Sequence, residues 1–375
     1  MIMTKLEIDE IRVGAVMEAT FWANPVEDSR FKYRATHLDG RRAPKVVLSD
    51  DVRIQPGVPC LVRIEAIHKP ERADHGFIEA KWERPAPFRI EGVWIDPSVA
   101  KKLQILLESG LNILLDGPQG CGKTTLARAI AESLGMEFVF FNCGAVVEAS
   151  DFLATIQVRA SASGAPVTDF VKTDVLLAIE QANESKDKRW LVFLDELNRC
   201  PESARNALMP ALDATRRVFH PVENRFVKIP DHVQFVAAVN RGREFSGTFG
   251  IDAAQLDRFA PLQMRYPPPP EEVKLLRARH PSLGKELVET LVAIADAVRH
   301  APELGQSLSV RATDEACVYL EHPLMSEEPR ANLPEVLKSS FCGRFSGRWD
   351  DPGSDAGAVW ATVTRVLRER GEPVA

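Results

Sequence analysis

The stretch LDGPQGCGKTT, residues 115–125, constrains the fold more than any other part of the chain. Its core fits the pattern G-x-x-x-x-G-K-[ST], in which glycines let successive backbone N–H groups approach phosphate oxygens at the start of a helix. An apolar run over Leu111–Leu115 precedes it and a helix-forming run over Leu126–Leu134 follows, as the pattern requires. The sequence therefore predicts a phosphate-binding loop formed by Gly117, Pro118, Gln119, Gly120, Cys121, Gly122, Lys123, Thr124 and Thr125.

A second apolar run, Trp190–Leu194, ends in the acidic pair Asp195 and Glu196. In loops of this kind the lysine, here Lys123, reaches the β- and γ-phosphates, and the hydroxyl of Thr124 binds Mg²⁺. We therefore expect Asp195 to lie beside the metal and Glu196 to polarise an attacking water. An Asp-Glu pair, rather than a lone Asp, favours hydrolysis over phosphoryl transfer to a metabolite.

The apolar runs and turn signals divide the chain into three predicted domains. Residues 1–88 hold short alternating runs separated by turns, which predicts a small β-barrel or sandwich. An OB-like barrel would fit the number of runs, and 83–87 would be the linker. Residues 89–266 alternate continuous apolar strands with helical segments, which predicts a parallel sheet covered on both faces. After four prolines at 267–270, residues 267–375 have a helical pattern, including a helix over 334–345.

Three further segments carry a resemblance to a known family. LDELNRCPESARNALMPALDA (194–214), FVAAVNRGREFSGTFGIDAAQLDRF (235–259) and SLSVRATDEA (307–316) resemble segments of the AAA+ ATPases of the MoxR and dynein-related (helix-2-insert) group. The resemblance covers about residues 91–320. It implies an α/β fold, with a P-loop AAA+ parallel-sheet core and a helical lid domain. The small β-barrel-like N-terminal domain that precedes this core is predicted from its own residues and is not part of the minimal family core.

The resemblance also implies roles for residues outside the loop. Asn240 would be the first sensor, bonded to the attacking water or the γ-phosphate, and Arg311 on the lid would be the second sensor. Arg258 would be an arginine finger that enters the neighbouring subunit's site. The roles of Arg199, Arg241 and Arg243 stay open.

Two segments correspond to insertions of the resembling family. Val146–Thr173 lies where the family carries an insert within its second helix, and Thr215–Pro230 alternates polar and apolar residues in a way that predicts a β-hairpin. In the family both face the pore or substrate side of a ring.

The leading hypothesis is a Mg²⁺-dependent ATPase that forms a ring, expected to be a hexamer, and remodels protein partners. ATP rather than GTP, and a von Willebrand factor A-type partner protein, are implied by the resemblance alone. The alternative is a nucleic-acid-directed NTPase of a restriction or defence system, with a DNA-binding N-terminal domain. Residues 1–90 hold 15 Lys and Arg against 14 Asp and Glu, a net of +1, which disfavours it.

Composition indicates the compartment and the general kinds of partner that we expect. The net charge is −6, so no global field attracts nucleic acid or anionic membranes. No 18-residue apolar run occurs, and the six cysteines show no C-x-x-C spacing. We therefore expect reduced thiols, no membrane span and a cytoplasmic protein.

Overall fold

The computed structural model describes residues 12–23, 32–35, 45–49, 54, 58–68, 77–85, 90–160, 166–185, 187–221, 223–240, 248–301, 304 and 307–374. Arg241 and Arg243 lie outside the described residues. Four clusters of buried side chains form its core: one inside an N-terminal barrel, two on the opposite faces of a central sheet, and one among the C-terminal helices. The two sheet clusters share the same apolar strands, whose successive side chains point to opposite faces.

The N-terminal part is a closed barrel, one of the two architectures that the alternating runs predicted. Its strands β1 to β5 run over Val16–Ala23, Tyr33–Ala35, Lys45–Leu48, Pro59–His68 and Phe77–Pro85. They follow the order β1-β2-β3-β5-β4, with β3 and β5 parallel and the other pairs antiparallel. The predicted linker at 83–87 is wrong at its start, because β5 extends to Pro85, and residues 84 and 85 pair with β4.

The middle part contains nine strands and six helices in its described residues. Strands β6 to β14 cover Ile113–Asp116, Glu137–Asn142, Ala154–Ala160, Pro166–Lys172, Trp190–Asp195, Arg217–His220, Arg225–Lys228, Val233–Val239 and Ala260–Gln263. Helices α1 to α6 cover Pro97–Glu108, Lys123–Ser133, Asp174–Glu184, Glu202–Asn206, Met209–Leu212 and Ala253–Leu256.

Five of these strands form a parallel sheet in the order β14-β6-β13-β10-β7. The strands β6 and β13 are buried along their whole length, as expected for apolar strands covered on both faces. In this register Asp116, Asp195 and Val239 end their strands at the same edge of the sheet. The loops that follow these strand ends therefore meet there.

The edge strand β14 was not predicted, because its four residues, APLQ, include only one buried side chain and form no apolar run. The segment 146–173 contains a second hairpin, β8–β9, in addition to the predicted hairpin β11–β12. Both hairpins carry exposed apolar side chains, among them Val158, Phe170, Phe219 and Phe226.

Helices α7 to α11 form the C-terminal part, over Pro269–Arg279, Lys285–Arg299, Val310–Glu321, Leu333–Ser340 and Asp355–Glu369. The predicted helix over 334–345 ends at Ser340, where a 3₁₀ turn at Cys342–Arg344 takes over. No helix in the described ranges has both the length and the apolarity that a membrane crossing needs.

A buried ion pair ties these helices together. Glu272 on α7 is fully buried and accepts hydrogen bonds from Arg299 Nη2, at 3.0 Å, and from Thr313 Oγ1, at 2.7 Å. The Arg299 guanidinium also lies over the Tyr266 ring, 4.7 Å from its centroid, and the Tyr266 hydroxyl donates to the Gln119 carbonyl at 2.8 Å. The pair therefore connects the helical core to the predicted phosphate loop.

Replacing Arg299 by methionine should destabilise the C-terminal helices by about 3–5 kcal/mol, because it leaves the Glu272 carboxylate buried without its cation. Amide hydrogen exchange in α7–α9 measures this change directly. The matched control is Arg365→Met, which removes the exposed ion pair between Arg365 and Glu369. This substitution should lower the free energy of opening, as measured by exchange, by less than about 1 kcal/mol. Equal effects of the two substitutions would contradict the prediction.

Candidate nucleotide-binding site

The predicted phosphate loop joins the carboxyl end of β6 to the start of α2, as the sequence pattern required. Gly120 and Gly122 adopt left-handed backbone angles, with φ of 70° and 96°. At Gly117 a Cβ atom would lie 2.7 Å from the Met264 carbonyl oxygen, so only glycine fits that position without a shift. The loop thus has the tight backbone that a phosphate cradle needs.

Lys123 begins α2 and is almost completely buried. Its ammonium donates to the carbonyl oxygens of Gly117 and Pro118, at 2.7 and 2.9 Å, and to Asn240 Oδ1 at 2.7 Å. Burial lowers the pKa of this ammonium group from its ordinary value. The structure therefore brings the predicted loop lysine and the predicted first-sensor asparagine into direct contact.

Thr124 and Asp195 meet across the same strand edge. The Thr124 hydroxyl donates to Asp195 Oδ2 at 3.3 Å, which joins the loop to the end of β10. A hydroxyl and a carboxylate are oxygen ligands of the kind that Mg²⁺ takes. These two residues fit the ligand pair that the sequence predicted.

Glu196, the next residue, has a left-handed backbone with φ of 52°, which is uncommon for a residue with a side chain. Its carboxylate oxygen Oε2 lies 3.0 Å from Nε of Arg199. Arg199, for which the sequence assigned no role, is thus the ion-pair partner of Glu196 in the same chain.

These residues line one cleft. Predicted site residues on its wall are Gln119, Gly120, Cys121, Gly122, Lys123, Thr124, Thr125, Asp195, Glu196, Asn240 and Arg311. Gly117 and Pro118 lie beneath it, where their carbonyl groups bind Lys123. Burial raises the pKa of the Cys121 thiol, so at neutral pH this residue is protonated and reacts slowly.

The opposite wall of the cleft was missed by sequence reasoning. It is formed by Gly92, Val93 and Trp94 ahead of α1 and, from the C-terminal helices, by Leu275, Leu276, Arg279, Val310 and Asp314. Arg279 donates to the Gly92 carbonyl at 3.1 Å and to Asp314 at 3.3 Å, which fixes the two sides together. None of these residues belongs to a sequence motif, and only the tertiary fold brings them beside the loop.

Arg258 lies elsewhere. It follows α6, donates from Nη1 to the Ala254 carbonyl at 2.9 Å, and lines a separate groove with Asp213, Arg216 and Asp257. It does not line the cleft around Lys123 in its own chain. Of the described site residues predicted from the sequence, Arg258 alone is therefore remote from the loop.

The donor set fits a nucleoside triphosphate with its metal. Thr124 and Asp195 would hold Mg²⁺, and Lys123 would hold phosphate oxygens in place of the carbonyl groups it now binds. Val93, Trp94 and Leu276 would pack against the ring of the base. The parallel sheet, this site at its carboxyl edge and the helical unit above it together have the fold of an AAA+ P-loop ATPase.

Comparison with protein-family models gives a more specific similarity within the AAA+ class. Residues 112–259 match the family model described as AAA domain (dynein-related subfamily), so this part of the chain is similar to that domain. AAA+ domains are in general ATPases that bind ATP with Mg²⁺ and oligomerise.

The chain is also similar to individual proteins. An uncharacterized protein of Staphylococcus aureus strain USA300 is 24% identical over 226 residues, which is 59% of this chain and 82% of that protein. An uncharacterized protein of Staphylococcus saprophyticus is 26% identical over 171 residues, or 46% of this chain and 62% of that one. Among solved structures, the Thermotoga maritima RuvB Holliday junction branch migration motor is 18% identical, with a TM-score of 0.42, over 75% of this chain and 83% of RuvB.

Replacing Gly120 by alanine should weaken nucleotide binding by about tenfold or more. Its left-handed φ disfavours a side chain by about 1–2 kcal/mol, and the new Cβ would come 2.4 Å from Ser309 Cβ at the start of α9. The measurement is titration with a fluorescent ATP analogue. Gly135→Ala is the matched control, because Gly135 has a φ of 58° but no atom within 4 Å of its Cβ position. Unchanged affinity in Gly120→Ala would show that the loop does not need this backbone.

Proposed function

We propose that the chain is a Mg²⁺-dependent ATPase subunit of a cytoplasmic ring of the MoxR type, expected to be a hexamer, that remodels or activates protein partners. A von Willebrand factor A-type protein is the proposed companion. The observation that carries the proposal is the division of the predicted machinery into two places. Lys123, Asn240 and Asp195 share one cleft, whereas the predicted arginine finger, Arg258, lines a groove outside it.

The residues of the cleft suggest how hydrolysis would proceed. Lys123 would bind the β- and γ-phosphate oxygens, and bound Mg²⁺ would neutralise charge that develops on them. Glu196 would accept a proton from the attacking water, and the amide of Asn240 would orient that water. Arg311, which lines the cleft from α9, would carry the state of the nucleotide to the helical lid.

The position of Arg258 supports a ring. A planar cation that stabilises the transferred phosphoryl group must reach the phosphates, and in this chain Arg258 is not on the wall of its own cleft. A head-to-tail contact that repeats around a closed ring would bring Arg258 of one subunit to the cleft of the next. We therefore propose that each site is completed by its neighbour.

The experiment that tests the partner class uses Glu196→Gln, which should bind ATP and hydrolyse it slowly. Tagged protein is incubated with native lysate, with and without ATP, and the captured material is identified. Lys123→Ala is the control, since it should capture nothing in an ATP-dependent manner. A protein enriched only with ATP and resistant to nuclease supports the proposal. Captured nucleic acid that nuclease or salt removes would instead favour a nucleic-acid-directed NTPase.

A further inference from the structure

Arg205, on the short helix α4, is a buried cation outside the cleft. Its side chain is fully inaccessible to solvent, and the hydrogen bonds found in the described residues go to uncharged acceptors. Nε donates to Gln255 Oε1 at 2.9 Å, Nη1 donates to the Cys200 carbonyl at 2.9 Å, and Nη2 donates to the Gly250 carbonyl.

These three acceptors belong to three different segments. Cys200 ends the 3₁₀ turn that follows Glu196, Gly250 lies in the loop between β13 and α6, and Gln255 is on α6 itself. One rigid guanidinium therefore joins the segment of the proposed catalytic base to the segment that precedes Arg258. A planar group with five donors in a fixed arrangement suits such a three-way contact, and a lysine or an amide would not reproduce it.

Desolvation makes this arrangement costly. Well-packed apolar side chains often stabilise a core as well as a buried charge does, or better. Stability alone therefore does not explain an arginine at position 205. Carbonyl oxygens accept one hydrogen bond from each nitrogen of the Arg205 guanidinium without neutralising its charge. What the guanidinium supplies, and an apolar residue could not, is a fixed geometry among the three segments.

The helix α6 depends on that geometry. It has four residues, far below the length at which a helix is stable alone, and Gln255 is its only buried residue. The Gln255 side chain accepts from Arg205 and donates to Asn206 Oδ1 at 2.9 Å. The backbone N–H of Arg258 then donates to the Gln255 carbonyl at 3.3 Å. The contact between Gln255 and Arg205 therefore helps to fix the backbone from which the Arg258 side chain leaves α6. The hydrogen bond that the Arg258 carbonyl accepts from Asn112 Nδ2, at 3.1 Å, also helps to fix it.

We propose that Arg205 is a positioning residue for Arg258, which holds the finger at the angle needed to reach the neighbouring subunit's nucleotide. This inference rests on the proposed function, in which Arg258 acts in trans. It implies that losing Arg205 impairs the site of the next subunit while the cleft of the altered subunit stays competent.

The test uses mixed rings made by co-expressing two differently tagged variants. Arg205→Gln has an intact cleft and a displaced finger, whereas Lys123→Ala has an intact finger and a dead cleft. Each alone should have at least tenfold lower ATP turnover than the wild type, and Arg205→Gln should keep wild-type nucleotide affinity. In a random mixture about a quarter of the interfaces pair the intact cleft with the intact finger. Turnover should therefore rise well above that of either variant alone.

Three controls make the result specific. Gln255→Ala removes the same contact from the other side, so it should complement Lys123→Ala in the same way even if Arg205→Gln folds poorly. Arg189→Gln removes another buried arginine, whose side chain donates to Gln234 Oε1 and to no other acceptor in the described part of the chain, and should leave turnover and affinity unchanged. Glu196→Gln mixed with Lys123→Ala should not recover, because both clefts are defective.

The outcomes separate the inference from the function on which it rests. If Arg258→Ala also fails to complement Lys123→Ala, the finger does not act in trans and the ring proposal is wrong. If Arg258→Ala complements but Arg205→Gln and Gln255→Ala do not, Arg205 serves its own cleft and the positioning role is overturned.

Discussion

Arg258→Ala should bind ATP like the wild type and hydrolyse it about 10³-fold more slowly, or worse, since an arginine finger contributes about that factor in related phosphoryl transfers. The physical reason is that charge developing on the transferred phosphoryl group would lack a stabilising cation. ATP affinity should be kept because Arg258 does not line the cleft in which ATP is expected to bind. Steady-state phosphate release gives the turnover, and titration with a fluorescent nucleotide gives the affinity.

Arg128→Ala is a suitable control, because Arg128 is an exposed cation on α2 that faces Phe138 rather than either site. Arg128→Ala should leave turnover within about twofold of the wild type, because substitutions of exposed residues usually have small effects. Wild-type turnover in purified Arg258→Ala would falsify the assignment of the finger.

Lys123→Ala should lose nucleotide affinity by about 10²-fold, because a charge-assisted contact to phosphate contributes about 3 kcal/mol and 1.4 kcal/mol is a factor of ten. Turnover should fall to background at any practical ATP concentration. Removing the ammonium also leaves Asn240 Oδ1 and two loop carbonyl groups without their donor. The affinity is measured by the same titration, with and without Mg²⁺.

The control for this change is Lys101→Ala, at an exposed position on α1. It removes the same charge from the chain without touching the cleft, so it separates a local effect from a change in net charge. If Lys123→Ala binds ATP normally, the nucleotide site lies elsewhere and the interpretation of the loop fails.

The parts of the site that the sequence predicted are those that depend on short stretches of chain. The loop before Lys123 has its geometry because glycines at fixed spacing join a strand to a helix, and each condition is visible within about fifteen residues. The contact between Thr124 and Asp195 could be predicted only with one further assumption, that both strands belong to one parallel sheet. Parallel strands place their carboxyl ends at the same edge.

The parts that were missed depend on contacts between distant segments. Trp94 and Leu276 face the same cleft from either side of the core, and neither has a neighbouring motif to mark it. Arg205 reads in the sequence as a surface residue of a short polar helix, because nothing local shows that Gly250 and Gln255 fold over it. Its burial is a property of tertiary structure alone.

The burial of the thiols has a practical consequence. All six cysteines are inaccessible, and burial raises the pKa of Cys200 to about 11 and of Cys317 and Cys342 to about 12. Maleimide dyes react with the thiolate, so the native chain will label slowly at neutral pH. A cysteine introduced at an exposed site such as Val158 on β8 can then be tagged selectively without removing any native cysteine. Single-molecule fluorescence can therefore follow the motion of this hairpin in the otherwise unaltered protein.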